Sequence, residues 1–111
     1  MIEICNLRKQ KPSTPYDFKV DRTSPLGNPF FMKDESYRDN VCNKYQIFFN
    51  KQINDLSTEF SKQFVKELQR ITQAYKQYGQ LRLFCWCSPK KCHSETIREF
   101  ILEKINKEQF Q

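Results

Sequence analysis

The chain has 111 residues with a net charge of +6, and carries five cysteines, one histidine, ten phenylalanines and only two glycines. That length holds one hydrophobic core, which excludes a second independent domain within 1–111, and the absence of a run of about 18 apolar residues excludes a membrane-spanning helix. Lys and Arg outnumber Asp and Glu by 19 to 13, which favours an anionic partner such as a nucleotide, a phosphorylated metabolite or nucleic acid, while the even spread of the basic residues also suits plain solvated surface.

The first segment, "MIEICNL", is short, apolar and β-compatible, so it reads as a strand with Ile2 and Ile4 on one face. A long turn-rich stretch follows, in which Pro12, Pro15, Pro25 and Pro29 forbid a continuous helix. Within it "DFKV" has the alternation of a short strand, with Phe18 and Val20 on one side. Loops of this length in a compact domain tend to be functional.

Residues 36–54 read as a helix. Ser36 and Asp39 make a capping-box-like start, and Tyr37, Val41, Tyr45, Phe49 and Ile53 recur every four residues. Residues 57–79 read as a second helix capped by Ser57, with Phe60, Phe64, Leu68, Ile71, Tyr75 and Tyr78 on its inner face and Gly79 at its end. "QLRLFCWC" is the strongest strand candidate and reads as central, covered on both faces. The segment "SPKKCHSETIREFILEKIN" closes with a third helix that buries Ile97, Ile101 and Ile105. The expected fold class is therefore α/β: a short, mostly parallel sheet packed by about three helices. Its exposed sheet edges leave a homodimer open.

Chemistry concentrates at the end of the last strand. Cys85 and Cys87 are expected on one side of it and Trp86 packed on the other. The "SPKK" turn then returns Cys92 and His93 toward the strand's carboxyl end, where open α/β sheets bind ligands and where the next helix aims its free N–H groups. A thiol in that positive end is expected to be more acidic than usual. Three readings of the cluster stay open. Cys85, Cys87, Cys92 and His93 have the donor set of a tetrahedral zinc site, although Cys-x-Cys and an adjacent Cys-His pair are tight for one. Cys92 with His93 has the makings of a catalytic thiol and its acid or base. Buried cysteines also serve as small hydrophobes, which is the reading taken for Cys5 and Cys42. The odd cysteine count excludes a complete disulfide framework. No apolar segment near Met1 resembles a signal peptide, so a cytoplasmic chain with reduced thiols is expected.

A second constellation is "VDRTSPLGNPF". Arg22 follows a short strand, Gly27 allows close backbone approach to a ligand, and Asn28-Pro29 fixes the exit of the turn. Arg22, Gly27, Asn28 and Lys90 are the candidate ligand-binding residues, Arg22 as a clamp on phosphate or carboxylate.

Together "ICNLRK", "VDRTSPLGNPF" and "LFCWCSPKKCHSETI" resemble a family of small domains of unknown function found in tailed phages and bacteria. Its members read roughly valine-glycine-arginine, then glycine-asparagine-proline-phenylalanine, then cysteine-tryptophan-cysteine, proline and cysteine-histidine. The resemblance covers about residues 2 to 105. It carries over to Arg22, Gly27, Asn28, Pro29 and Phe30, and to Cys85, Trp86, Cys87, Pro89, Cys92 and His93. Asp21 and Ser94 stand where glycine is usual. The resemblance implies a single domain of Rossmann-like character and no particular activity. The leading expectation is a small-molecule site for a nucleotide or nucleoside derivative, formed where positions 22–30 and 85–93 meet, with transfer, hydrolysis or sequestration all open. The alternative is a zinc-braced module for nucleic acid or protein.

Overall fold

The computed structural model describes residues 1–87 and 90–109, which form a three-stranded parallel sheet and three helices. Strands β1 (Ile2–Asn6) and β2 (Asp17–Lys19) flank β3 (Leu81–Cys85), giving the order β1-β3-β2. Helices α1 (Arg38–Asn54) and α2 (Glu59–Tyr78) lie between β2 and β3, and α3 (Ser94–Gln109) follows β3. The expectation of a small α/β domain with a parallel sheet and about three helices holds.

Register decides which residues meet. Ile2, Ile4 and Asn6 stand beside Leu81, Leu83 and Cys85, and Phe18 stands beside Leu83. These positions share one face of the sheet. Leu81, Leu83, Ile2 and Phe18 there join one buried cluster with Tyr45 and Phe49 of α1, Phe64, Leu68 and Ile71 of α2, and Ile97 and Ile101 of α3. Aromatic rings fill much of that space. Phe49 meets Phe64 at 5.4 Å and Phe100 at 5.3 Å between ring centres, both edge to face.

The opposite face carries Glu3, Cys5, Asp17, Lys19, Arg82 and Phe84. Arg82 organises it. Its guanidinium holds both oxygens of the enclosed Asp17 carboxylate at 2.7 Å, takes the Gln10 side chain at 3.0 Å, and lies over the Phe84 ring. The proline-rich loop is thereby drawn across the sheet. Cys5 points to this side too, beside Phe84, so a first strand adjacent to β3 does not bring Cys5 to Cys85. Burial, together with the neighbouring Glu3 carboxylate, pushes the Cys5 thiol up to about 11.

The helix starts differ from their sequence expectations. Helix α1 begins at Arg38 after a 3₁₀ turn, Glu35–Tyr37, whose cap is Asp34: its carboxylate accepts the Ser36 N–H at 2.8 Å. Asp34 reaches that N–H in a tight local turn, so Ser36 does not cap. Helix α2 is capped by Thr58 rather than Ser57, because the Thr58 hydroxyl accepts the Ser61 N–H at 3.0 Å while the Ser57 N–H is taken by Asp55. Gly79 ends α2 in the left-handed conformation, as its place after the last periodic residue implied. The outermost members of the helical stripes, Tyr37, Phe60 and Tyr78, stand largely exposed because the core narrows toward the helix ends.

Candidate functional site

Cys85 is the last residue of β3 and points into the core face. Trp86 and Cys87 lie past the strand end. Trp86 therefore does not pack behind the sheet as the strand alternation implied; it is 51% exposed, and its indole N–H donates to Asp21 at 3.1 Å. The Ser88-Pro89 pair expected to break the strand lies outside the described residues. Beyond it the chain returns, and Cys92 meets the start of α3 in a capping-box-like exchange. The Cys92 N–H donates to the Glu95 carboxylate at 3.1 Å, the Glu95 N–H donates to the Cys92 carbonyl at 3.1 Å, and the Ser94 N–H donates to the Cys92 sulfur at 3.3 Å.

Cys92 is the hub of a sulfur cluster. Its Sγ lies 3.2 Å from Cys85 Sγ, 3.2 Å from the Ser94 hydroxyl and 3.6 Å from His93 Nδ1. The Cys87 thiol is hydrogen-bonded to the same sulfur and to the Arg38 guanidinium. The cluster makes Cys92 less acidic, not more. Hydrogen bonding with Cys85 and Cys87, and then burial, raise its thiol well above the ordinary value, and the Ser94 hydroxyl only partly offsets this. A negative sulfur would face two electron-rich sulfurs in dry surroundings, so the helix-terminus effect expected from sequence is outweighed.

His93 is 6% exposed and fixed at one nitrogen. Nε2 is 2.5 Å from the Val20 carbonyl oxygen, which can only accept, so Nε2 carries the proton and Nδ1 offers its lone pair toward Cys92. Burial lowers the His93 pKa from its ordinary value, with the Val20 bond opposing, so the ring is neutral. The Tyr45 ring meets the imidazole edge to face at 5.0 Å, and the Tyr45 hydroxyl donates to the Leu26 carbonyl at 2.7 Å. One helix side chain thus braces both His93 and the loop after β2.

That loop forms the other wall of a cleft of about 400 Å³. Arg22, Asn28, Phe30 and Phe31 face Trp86, Cys87, Cys92 and His93 across it, with Arg38 and Lys91 at one end. The two motif regions do converge, and Cys92, His93, Arg22 and Asn28 share the cleft. Other expected members do not line it. Cys85 lies beneath the floor. Lys90 turns away to Glu35 at 3.1 Å, and Lys91 takes its place. Gly27 serves the backbone rather than a ligand: a Cβ there would stand 2.3 Å from the Asp21 carbonyl oxygen and 2.7 Å from Arg22 Cα. Asn28 caps its own turn, accepting the Phe30 N–H at 2.9 Å.

The charges are arranged unequally. Burial would raise the Asp21 carboxyl, but the Thr23 hydroxyl, Trp86 indole and Thr23 N–H hold it below its ordinary value. Arg22 spends Nε and Nη2 on the carbonyls of Asn28 and Phe30, at 3.1 and 3.3 Å, and stacks over Phe31 at 4.6 Å. None of those partners neutralises its charge. Arg38 is paired to Glu35 by two bonds of 2.8 Å and donates to the Lys91 carbonyl at 2.8 Å. Arg38 and Lys90 hold Glu35 down to about 2. Lys91, which with Lys90 flanks the cysteine cluster in sequence as a potential anion holder, lines the rim; Arg38, Phe31 and Asp21 were missed because nothing in their local pattern marks them as ligand-facing.

The four residues of the zinc reading converge on the Cys92 sulfur, with His93 Nδ1 turned toward it. Among the described residues no three His, Cys, Asp or Glu side chains form a group spaced to hold a metal ion. No helix among the described residues is long and apolar enough to cross a membrane.

A family model described as a domain of unknown function (DUF4326) matches residues 5–103, a span that contains both motif regions and every residue of the cleft. No match is found among curated proteins or among solved structures.

Proposed function

We propose, for a chain that belongs to the DUF4326 family of unknown function, that the cleft binds a small anionic ligand with a planar group, a nucleotide or nucleoside derivative. The observation that carries this reading is the make-up of the cleft. Three cations line it: Arg38 is paired with Glu35 and Lys91 with Asp39 at 3.4 Å, while Arg22 meets only carbonyls and a ring, and the one lining carboxylate, Asp21, is already occupied by Thr23 and Trp86. Its remaining walls are aromatic: Phe30, Phe31 and Trp86. The Arg22 charge, which no carboxylate balances, draws a phosphate or carboxylate, and ring faces suit a base. The size falls within the range of small-molecule sites. The position at the carboxyl ends of parallel strands is the one expected of a Rossmann-like domain.

Within the cleft, Cys92 is a thiol with a hydrogen-bond acceptor, His93 Nδ1, beside it, and the Val20 carbonyl orients that base. Nucleophile, base and orienting group are the elements of covalent catalysis, so the reading extends to a ligand that reacts at this end.

A thermal-shift screen across nucleosides and their mono-, di- and triphosphates tests the reading. A ligand present at 100 times its Kd stabilises a domain by about 2.7 kcal/mol, a rise of several degrees. The rise is expected to shrink in Arg22→Ala and in Phe31→Ala, the second of which alters a ring 84% exposed and leaves the fold intact. A screen in which no compound raises the melting temperature, or in which both variants respond like the parent, would reject it.

A further inference from the structure

We infer that Cys87 is the thiol at which the cleft captures an anionic ligand covalently, its sulfur attacking an electrophilic carbon of that ligand. The inference rests on the reading that the cleft takes an anion, and it assigns the reacting sulfur of that site.

Three cysteines line the cleft: Cys42, Cys87 and Cys92. Exposure separates them. Cys42 and Cys92 are 6% and 4% exposed, whereas Cys87 alone among the cysteines is only partly buried. Burial raises the Cys42 thiol, and the neighbouring sulfurs together with burial raise that of Cys92. Cys5 lies on the opposite face of the sheet, beside Phe84. A reagent that enters the cleft from solvent therefore meets Cys87 first.

The fold also holds Cys87 in place. Its carbonyl accepts the Lys90 N–H at 2.9 Å. Its sulfur is hydrogen-bonded to the Arg38 guanidinium, which donates to the Lys91 carbonyl at 2.8 Å as well. A guanidinium can only donate, so the Cys87 sulfur is the acceptor of that bond. Cys92, hydrogen-bonded to the same sulfur, keeps its proton and can donate too. Negative charge that appears on Cys87 as it gives up its proton is thus met by a cation and a thiol, and hydrogen bonds to an ionised group are the stronger kind. Cys92 and His93 stand behind the reacting sulfur. The charge that draws the ligand is chiefly that of Arg22, because Arg38 is paired with Glu35 and Lys91 with Asp39.

The step is a substitution. The Cys87 proton leaves to water and the sulfur attacks the carbon. The S–C bond forms, and the bond from that carbon to its leaving group breaks, the leaving group taking the bonding pair. Nothing is oxidised or reduced overall, and no co-reactant is required.

Iodoacetate, an anionic electrophile, and iodoacetamide, its neutral counterpart, test this on the folded protein. Tryptic cleavage places Cys42 on peptide 39–44, Cys85 and Cys87 on peptide 83–90, and Cys92 on peptide 92–98. Iodoacetate is expected to modify peptide 83–90 first, with fragmentation locating the added group on Cys87. The rate with iodoacetate divided by that with iodoacetamide is expected to exceed the same ratio in the urea-unfolded chain by about tenfold. That excess is expected to shrink in Arg22→Ala and, in the unaltered protein, with added salt. Modification that falls first on Cys42 or Cys92, or on no cysteine until the chain unfolds, would overturn the inference and leave the anion reading to the thermal-shift screen. Cys87 modified first but with the ratio of the unfolded chain would overturn the inference through the anion reading beneath it.

Discussion

His93 Nε2 donates to the carbonyl oxygen of Val20, joining residues 73 positions apart and tying the start of α3 to the end of β2. Val20 is held on its other side as well, its N–H donating to the Phe84 carbonyl at 2.9 Å. Removing the imidazole in His93→Ala leaves a buried carbonyl without its donor, at a cost of about 1–3 kcal/mol. His93→Gln, which keeps an N–H, is expected to recover part of that loss. Urea denaturation of the two variants measures it; an alanine variant as stable as the parent would contradict the arrangement.

The same histidine gives stability a pH dependence. It is the single histidine of the chain, and burial holds its folded pKa below its ordinary value of 6.5. The unfolded chain therefore takes up the proton first as pH falls. Stability is expected to be full above about 6.5 and to decline below it until the folded imidazole itself protonates. Unfolding free energies between pH 7 and 5 are expected to show this slope in the parent and not in His93→Gln.

The two glycines should respond differently to alanine. At Gly27 the new Cβ meets the backbone of Asp21 and Arg22 at 2.3–2.7 Å, atoms that cannot turn aside. Gly27→Ala is expected to cost about 3 kcal/mol and to deform the wall of the cleft. At Gly79 nothing lies within 4 Å, and the only obstacle is a φ of +70°. Gly79→Ala is expected to cost about 1–2 kcal/mol and to leave the cleft unchanged. Thermal melting and ligand binding of the pair check this; equal effects would contradict it.

Asp17 contributes to stability in acid. Burial would raise its carboxyl, but the Arg82 guanidinium and the N–H groups of Ser13 and Thr14 hold it well below its ordinary 3.8. Its contribution is therefore full above about pH 4 and is lost as pH falls further. Asp17→Asn is expected to cost roughly 2–3 kcal/mol at neutral pH and to flatten the acid limb of the stability curve. Arg82→Ala is expected to let the Asp17 carboxyl rise toward its ordinary value and so flatten the same limb, with the Ser13 and Thr14 N–H groups still holding it.

Trp86 offers an optical readout, because it is the single tryptophan and lines the cleft. Asp21→Ala removes the acceptor of its indole N–H and is expected to shift its emission. A ligand that fills the cleft is expected to quench it with the same midpoint as the thermal-shift titration. Emission unchanged at saturating ligand would place that ligand elsewhere.

Much of this was legible in the sequence where periodicity acts alone. The step of three and four from Phe64 to Ile71 marked the buried stripe of α2, and "LRLFC" marked the central strand. Cys92 and His93 could be placed at the head of α3 because Ile97 and Ile101 fix its inner face. The rim residues were not legible. Lys90 and Lys91 are indistinguishable in sequence, and only the fold turns Lys91 to the cleft and Lys90 to Glu35; Arg38 faces inward because of how α1 leans on the loop. Trp86 was misjudged because alternation was carried one residue beyond the end of β3. The acidity of Cys92 was misjudged because a helix terminus is a local feature, whereas the crowding by Cys85 and Cys87 is a tertiary one.

The strand order β1-β3-β2 also governs how the chain acquires its shape. Both early strands pair only with β3, which lies roughly sixty residues after β2. A chain emerging from the ribosome can form α1 and α2 and bring them together, yet it has no sheet at all until Cys85 is free. Each strand pairing then closes a long loop, the kind of contact that slows folding. The nascent domain thus carries two unpartnered strands for most of its synthesis, and any fragment ending before Leu81 is expected to be helical and without a cleft.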